Sequence, residues 1–237
     1  MKKIIIVGAT SGIGKEMALR YAQQGHAVAV TGRRENLLEE LKKAHPQIFT
    51  APFDVTCDEN KGHLEKLVSQ MGGLDLIIYN AGFGDPSEQL IPETEIATTK
   101  TNVNGFVDVV TFAFNYFVEQ GHGQIALTSS IAALRGNSWT PAYSASKAFM
   151  SNYAEGLNMK AWRFKKKILV TDIKPGFIKT KMAKGHGQFW VASTQKATRQ
   201  IMKAIEKKRR VAHITKRWWL IAQVLKILPY AIYKRIA

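Results

Sequence analysis

The chain has 237 residues, one cysteine and a formal net charge of +16 at pH 7. This length suits one α/β domain with a sizeable core, and one cysteine excludes internal disulfides and is typical of a reducing compartment. The six histidines lack the spacing of a metal site and the N-terminus lacks a signal-peptide pattern, so we expect a cytoplasmic protein without a metal.

The N-terminus predicts a strand, a glycine-rich turn, a helix and a second strand. Residues 3–7 are a β-branched run, and the sequence GATSGIG follows directly at 8–14. Apolar residues at helical spacing come next, and residues 27–31 form the second predicted strand. Glycines at such a junction let the backbone approach a pyrophosphate at a helix N-terminus, so this unit predicts a dinucleotide site.

The residues after the second predicted strand favour NADP(H) over NAD(H). An NAD-selective site places an acidic side chain there for the ribose 2′-hydroxyl, whereas this chain has Gly32, Arg33 and Arg34. Arginine suits a phosphate by its charge and its bidentate geometry, and Lys15 adds a further cation. We expect Arg33 to bind the 2′-phosphate, while Arg34 and Lys15 either assist it or face solvent.

Further strands follow in the pattern of a doubly wound parallel sheet. The third ends at Phe53-Asp54-Val55, and the fourth, fifth and sixth cover residues 76–79, 124–128 and 168–173. Residues 211–215 can form a seventh. Such sheets bind ligands beyond the carboxyl ends of their strands, where the fifth strand places Ser130.

Tyr143 and Lys147 point to the chemistry of the chain. Their spacing of four residues places a phenol and an ammonium on one face of a helix, and a nearby cation favours the phenolate. Ser130 can supply a hydroxyl that holds a carbonyl or alcohol oxygen. Any long helix can carry this spacing, so it indicates catalysis only because a predicted nucleotide site accompanies it.

Together these motifs resemble those of the short-chain dehydrogenase/reductases over roughly residues 3–182. The resemblance rests on Gly8, Gly12, Gly14, Asn80-Ala81-Gly82, Asn102, Ser130, Tyr143, Lys147 and Pro175-Gly176. It implies a single-domain Rossmann-type α/β fold with a parallel sheet flanked by helices. It also implies a homodimer or homotetramer that forms through helices around 95–118 and 143–163. Tyr79 departs from the family pattern, which has asparagine there, and we expect it to alter the local support of its strand.

The resemblance further implies roles for individual residues. Tyr143 would exchange a proton with the substrate oxygen, Lys147 would lower the tyrosine pKa and hold the nicotinamide ribose, and Ser130 would bind the substrate oxygen. Asn102 would anchor a proton-relay water. Asp54 would contact the adenine, and Thr180 the carboxamide or a phosphate. The implied cofactor contacts are Gly8, Thr10, Ser11, Gly12, Ile13, Gly14, Arg33, Arg34, Asp54, Val55, Asn80, Ala81, Gly82, Tyr143, Lys147, Pro175, Gly176, Phe177, Ile178 and Thr180.

Positive charge is concentrated in the last third of the chain. Residues 1–159 hold 13 Lys/Arg and 16 Asp/Glu, whereas residues 160–237 hold 21 Lys/Arg and two acids. The densest runs are 165–167 and 207–210. This one-sidedness favours an acidic partner, and the absence of a nucleic-acid motif argues against DNA or RNA.

The domain is expected to end at residue 215 and to be followed by a basic amphipathic segment, 216–237. Residues 216–228 predict a helix that Pro229 ends, too short and too polar to span a membrane. Three roles remain open for the segment: a lid over the substrate pocket, a subunit contact, or contact with an anionic membrane surface. Residues 182–194, which include His186, Phe189 and Trp190, are either a flap over the substrate or an ordinary surface loop.

The predicted function is NADPH-dependent reduction of a ketone or aldehyde, or the reverse reaction, on an apolar or lipid-linked substrate. Hydride transfer would accompany proton transfer through Ser130, Tyr143, Lys147 and Asn102. The alternative is a non-catalytic NADP(H) sensor or membrane-surface scaffold, which the basic last third of the chain suggests. The presence of all four residues of the proton relay favours the enzyme.

Overall fold

The computed structural model describes residues 1–180 and 188–235. The strands are β1 Lys3–Val7, β2 Ala27–Gly32, β3 Ile48–Pro52, β4 Leu76–Tyr79, β5 His122–Thr128, β6 Lys167–Pro175 and β7 Val211–Ile214. They pair in parallel as one seven-stranded sheet with the order β3-β2-β1-β4-β5-β6-β7. The predicted Rossmann-type fold is therefore confirmed, including the seventh strand.

Helices cover both faces of this sheet. They are α1 Gly12–Gln23, α2 Glu35–Ala44, α3 Asn60–Met71, α4 Pro92–Thr99, α5 Gly105–Gln120, α6 Pro141–Arg163, α7 Thr194–Glu206, α8 Lys216–Ile227 and α9 Tyr230–Tyr233. A π-helical turn, Lys100–Asn104, joins α4 to α5, and a 3₁₀ turn, Ile131–Leu134, follows β5.

The first strand shows why its sequence is continuously apolar. Ile5 and Val7 belong to the core on one face of the sheet, beneath α3, α5 and α6. Ile4 and Ile6 belong to the core on the other face, beneath α1, α2 and α7. All four side chains are fully buried, as expected where helices cover both faces of a parallel sheet.

The strand order reverses beside β1, and this reversal positions the site. β1 lies between β2 and β4, so the connections leave the sheet on opposite sides at this point. A crevice therefore opens beyond the carboxyl ends of β1 and β4, where open α/β sheets bind their ligands. The turn after β1, Asn80 after β4 and Ser130 after β5 all lie at this edge.

The C-terminal segment, residues 216–235, is packed against the domain. Helix α8 ends at Ile227 before Pro229, as the sequence predicts. Its Trp218 is 3% exposed and lies against Gly176, where a Cβ atom would overlap the indole ring. Phe177 packs edge-on against the same ring, with centroids 5.4 Å apart. The segment is therefore attached to the turn that follows β6.

Two sets of basic residues in the last third lie at opposite edges of the sheet. The runs at 165–167 and 207–210 precede β6 and β7, and so lie at the amino edge of the sheet. The cations of residues 216–235 follow β7 at the carboxyl edge. β6 has nine residues and so extends about 30 Å between these edges. Helix α7, which connects the two edges, carries the further exposed cations Lys196, Arg199 and Lys203.

Candidate active site

The glycine-rich turn after β1 packs too tightly for side chains. Gly8 has φ +84°, and a Cβ atom there would lie 2.5 Å from the Ala81 nitrogen. A Cβ atom on Gly14 would overlap the Gly8 carbonyl oxygen. Asn80 fixes the same carbonyl, because its Nδ2 donates a hydrogen bond to it at 3.0 Å. The turn thus brings bare backbone to the N-terminus of α1, where a pyrophosphate binds favourably.

A cleft of about 1280 Å³ runs along the carboxyl edge of the sheet, from the glycine-rich turn to the C-terminal segment. Every residue expected to contact the cofactor lines it except Gly14, which is buried beneath the turn. Thr180 lies across from Gly12, where a Cβ atom would be 3.4 Å from its Cγ2. The size of the cleft and its bare glycine cradle fit a dinucleotide.

Two arginines lie at the end of the cleft beside β2. Arg34 Nη2 donates hydrogen bonds to Thr10 Oγ1 at 2.5 Å and to Ser11 Oγ at 3.0 Å. Arg34 is therefore attached to the glycine-rich turn and is not simply solvated. The Arg33 side chain is 69% exposed at the rim, with Nη1 3.6 Å from an Asp54 carboxylate oxygen. Both cations are positioned at the end of β2, where the sequence lacks an acidic residue.

Lys147 is buried beside the phenol of Tyr143. It is 3% exposed, its Nζ donates to the Thr128 carbonyl at 2.8 Å, and this nitrogen lies 5.6 Å from the centroid of the Tyr143 ring. Burial lowers the pKa of Lys147 to about 8, although the negative charge of Asp172 opposes this. Its charge is therefore sensitive to pH just above neutrality.

The pKa of Tyr143 is raised, contrary to the expectation that Lys147 would lower it. Burial disfavours the phenolate and is the larger effect, while a hydrogen bond with Ser130 opposes it. The ammonium of Lys147 does not offset this desolvation. Tyr143 is consequently a phenol at neutral pH, the form that can donate a proton.

Asn102 lies behind the cleft and is fully buried. Its Nδ2 donates to the Phe83 carbonyl at 2.7 Å and to Ser146 Oγ at 3.0 Å, and its Oδ1 accepts from the Phe83 amide at 2.9 Å. Both amide protons are thus used to join the π-helical turn to the loop after β4 and to α6. The expected relay water would have to bind elsewhere on the residue.

Two contacts near the loop after β4 were only partly predicted from the sequence. Gly84 packs against Tyr143, and a Cβ atom there would overlap the phenol ring. The spacing of Gly82 and Gly84 is the signal that could have indicated this. Tyr79 is fully buried and its hydroxyl donates to the Thr101 carbonyl at 2.6 Å. The change that we expected at Tyr79 is therefore a hydrogen bond that connects β4 to the π-helical turn.

A buried ion pair lies directly behind the end of β5. Asp172 and Lys174 are 3% and 7% exposed, and Lys174 Nζ lies 2.7 Å from Asp172 Oδ2. Ser129, which precedes Ser130, donates a hydrogen bond to Asp172 Oδ1. The sequence analysis did not single out this pair, because charged residues within a predicted strand give no direct signal of a shared site.

The C-terminal segment forms the outer wall of the cleft through Leu225 and Tyr233. Arg135, from the loop after Ser130, donates from Nη1 to the carbonyls of Leu225 at 3.0 Å and Leu228 at 2.8 Å. Its guanidinium also lies 4.4 Å from the centroid of the Tyr233 ring. Main-chain and aromatic contacts thus connect the loop after Ser130 to the end of α8.

The region after β6 is described only in part. Phe189 and Trp190 pack around Trp218, with ring centroids 5.1 and 6.5 Å away, and Gln188 lines the cleft. His186 and the rest of the range 181–187 lie outside the described residues.

Comparison with known proteins identifies the family of the chain. The short chain dehydrogenase family model matches residues 2–189. An uncharacterised oxidoreductase of Mycobacterium tuberculosis is 30% identical over 250 residues, which cover 100% of this chain and 97% of that protein. The NADP-dependent 3-hydroxy acid dehydrogenase YdfG of Escherichia coli K12 is 30% identical over 187 residues, which cover 74% of this chain and 72% of the relative.

Solved structures share the fold over almost the whole chain. A short chain dehydrogenase from Burkholderia cenocepacia, in complex with NADP, superposes with a TM-score of 0.85 and 21% identity, covering 99% of this chain and 97% of the other. With the nucleotide cleft and its Ser130, Tyr143 and Lys147, these similarities place the chain in the short-chain dehydrogenase/reductase family, as an NAD(P)-dependent oxidoreductase.

Proposed function

We propose that the protein reduces a ketone or aldehyde with NADPH, using Ser130, Tyr143 and Lys147. The observation that carries this proposal is that all three line the same cleft as the glycine-rich turn. The glycine-rich turn would hold the dinucleotide, and the same cleft continues from that turn to the three side chains. The retention of these residues favours catalysis over a non-catalytic NADP(H) sensor or scaffold.

The bound nicotinamide supplies the hydride. Tyr143 donates the proton to the carbonyl oxygen, and Ser130 Oγ holds that oxygen and stabilises its developing negative charge. Lys147 binds the ribose and favours the phenolate that remains after proton transfer. The raised pKa of Tyr143 keeps the phenol protonated before reaction, which is the form that reduction requires.

We propose a preference for NADP(H) from the end of the cleft beside β2. Arg33 binds the 2′-phosphate, and Arg34 orders the glycine-rich turn beside it. Arginine matches a phosphate in charge and geometry, and Gly32 leaves no carboxylate to select a free 2′-hydroxyl. The NADP-dependent relative supports the same preference. If Arg33→Asp still binds NADPH more tightly than NADH, the assignment of Arg33 is wrong.

We propose an apolar substrate, enclosed by a lid formed by residues 216–235. Trp139, Leu225 and Tyr233 line the outer end of the cleft, and Arg135 holds the lid at that point.

The family relationship further supports a cytoplasmic protein that forms a homodimer or homotetramer through α5 and α6. Light scattering can measure the mass of this oligomer. Peripheral contact with an anionic membrane is the remaining part of this proposal. None of the helices within 1–180 and 188–235 could cross a bilayer.

Tyr143→Phe tests the catalytic assignment. The variant lacks the phenol proton that Tyr143 donates to the carbonyl oxygen, so turnover should fall at least about a hundredfold. NADPH affinity should stay within about threefold, because the ring and its packing are retained. Turnover should be followed as NADPH depletion over a panel of ketones and aldehydes, and affinity by fluorescence titration. Substantial residual turnover would refute the role of Tyr143.

A further inference from the structure

The C-terminal segment has an unusually apolar outer surface, here called the C-terminal face. It consists of six side chains that are at least half exposed: Trp219, Leu220, Val224, Ile227, Tyr230 and Ile232. Leu220, Val224 and Ile227 follow helical spacing along α8, and α9 continues the surface. The opposite side of α8 is buried through Trp218 and Ala222. The segment therefore has apolar side chains on both its docked and its exposed sides.

The charges around this face match an anionic surface. Residues 216–237 include five cations, Lys216, Arg217, Lys226, Lys234 and Arg235, and no acidic residue. All five side chains belong to exposed residues. Each cation near an anionic bilayer contributes about 1 kcal/mol of attraction, and tryptophan and tyrosine favour the headgroup level. An interfacial helix combines these two features.

A second surface provides an internal comparison. Met159, Trp162 and Phe164 are 59%, 81% and 45% exposed near the end of α6. The basic runs at 165–167 and 207–210 lie at this same amino edge of the sheet. The two edges are about 30 Å apart along β6. The amino-edge surface has fewer exposed apolar side chains than the C-terminal face, so it serves as the control.

We propose that the C-terminal face binds an anionic phospholipid bilayer, so that the lid lies between the lipid surface and the cleft. Leu225 and Tyr233 line the cleft from the same segment whose outer side carries Trp219 and Ile227. A carbonyl compound dissolved in the bilayer then reaches the outer end of the cleft by displacement of this segment alone. This substrate class rests on the proposed reductase function, whereas the membrane contact does not.

The charge pattern favours a bilayer over a second copy of the chain. The cores of protein interfaces are depleted in lysine, and a two-fold interface through this face would bring its own cations together. In contrast, an anionic headgroup layer neutralises them. A dimer through this face is therefore the competing outcome of the test.

The first experiment is sedimentation of the full-length, NADPH-bound protein with vesicles. Vesicles of phosphatidylcholine with about one-third phosphatidylglycerol should bind the protein at low salt, and vesicles of phosphatidylcholine alone should bind it much more weakly. The double variant Trp219→Ala/Ile227→Ala should lower the partition coefficient at least about tenfold. Lys216→Gln and Lys226→Gln should each lower it about fivefold. Trp162→Ala, the matched control, should leave it unchanged.

Two results would overturn the membrane contact. One is full-length protein that ignores anionic vesicles at low salt, and the other is binding that Trp162→Ala abolishes but the double variant retains. Loss of a dimer in the double variant, with no vesicle binding by the parent, would assign the face to self-association. NADPH titration of each variant verifies folding, because Trp219, Ile227 and Trp162 lie outside the cleft lining.

A second measurement separates the membrane contact from the reaction. With a long-chain aldehyde presented in the anionic vesicles, the double variant should lose turnover about as much as it loses binding. With a short soluble aldehyde, its turnover should equal that of the parent. Equal turnover of the vesicle-borne aldehyde by both proteins would refute delivery through the C-terminal face. Binding without turnover of either aldehyde would instead contradict the reductase proposal.

Discussion

The two ends of the cleft are held together in different ways. At the inner end, close backbone contacts at Gly8 and Gly14 and the buried Lys147 fix the geometry. At the outer end, side chains of the C-terminal segment close the cleft, and Arg135 holds them through carbonyl groups. The difference suggests that the inner end fixes the chemistry, whereas the outer end can change with the substrate.

Trp218→Ala should have the largest effect among the tests of this comparison. Removing this buried ring should lower the free energy of unfolding by about 3–5 kcal/mol, because its contact with Gly176 would leave a cavity. NADPH should also bind more weakly, because the turn after β6 loses its support. Denaturant unfolding and NADPH titration measure both effects.

The neighbouring Trp219→Ala provides the matched control. Trp219 is 52% exposed, so its replacement should change stability by no more than about 0.5 kcal/mol. If the two variants were equally stable, the C-terminal segment would be a loosely attached tail, and the outer wall would not be part of the folded domain.

Gly84→Ala should reduce catalysis while sparing the fold. The added Cβ atom would displace the phenol of Tyr143, and a misplacement of about 1 Å can lower kcat about a hundredfold. NADPH affinity should change little, since the glycine-rich turn is untouched. Gly156→Ala in α6 is the control, because nothing beyond its chain neighbours and its own helix backbone lies within 4 Å of its Cβ position. Equal kcat values for the two variants would show that the Gly84 contact does not position Tyr143.

The pH profile should reveal the ionisation of Lys147. Because burial lowers its pKa to about 8, the proton is lost above that pH, and kcat/KM should then fall about tenfold per unit. Asp172→Asn should move this fall to lower pH, since the carboxylate of Asp172 favours the charged lysine. Ser129→Ala keeps that carboxylate and should leave the pH of the fall unchanged. A fall at the same pH in all three proteins would exclude an electrostatic role for Asp172.

Tyr233→Phe should have the smallest effect on turnover. Its hydroxyl donates to the Gly136 carbonyl at 2.5 Å, and losing one such bond lowers stability by about 0.5–1.5 kcal/mol. We expect KM for a long apolar substrate to rise severalfold while kcat for a short one stays constant. A proportional loss of kcat for both substrates would mean that the outer wall also controls the chemistry at the inner end.

The sequence predicted the inner end of the cleft better than the outer end. Strand ends and glycines obey local rules, and the spacing of Tyr143 and Lys147 is helical, so these positions followed from pattern. The contact between Gly84 and Tyr143 and the pair of Asp172 with Lys174 depend on how distant segments approach each other. The raised pKa of Tyr143 likewise reflects burial, which the four-residue spacing does not convey.

The charge pattern was visible in the sequence, but its arrangement was not. The last third of the chain has cations at both edges of the sheet, which are about 30 Å apart along β6. Only the direction of each strand assigns residues 207–210 to one edge and residues 216–235 to the other. The predicted helix at 216–228 was nearly correct in its bounds, yet its contact with the loop after Ser130 required the folded chain.

The way in which Arg135 holds the C-terminal segment has an evolutionary consequence. Its guanidinium binds the main-chain carbonyls of Leu225 and Leu228, which every amino acid possesses. Mutations in α8 can therefore change the side chains of the cleft wall while the hydrogen bonds from Arg135 persist, provided that the helix still ends at the same residue. A lineage could diversify its substrates by drift in this segment and leave the proton-transfer residues under separate selection.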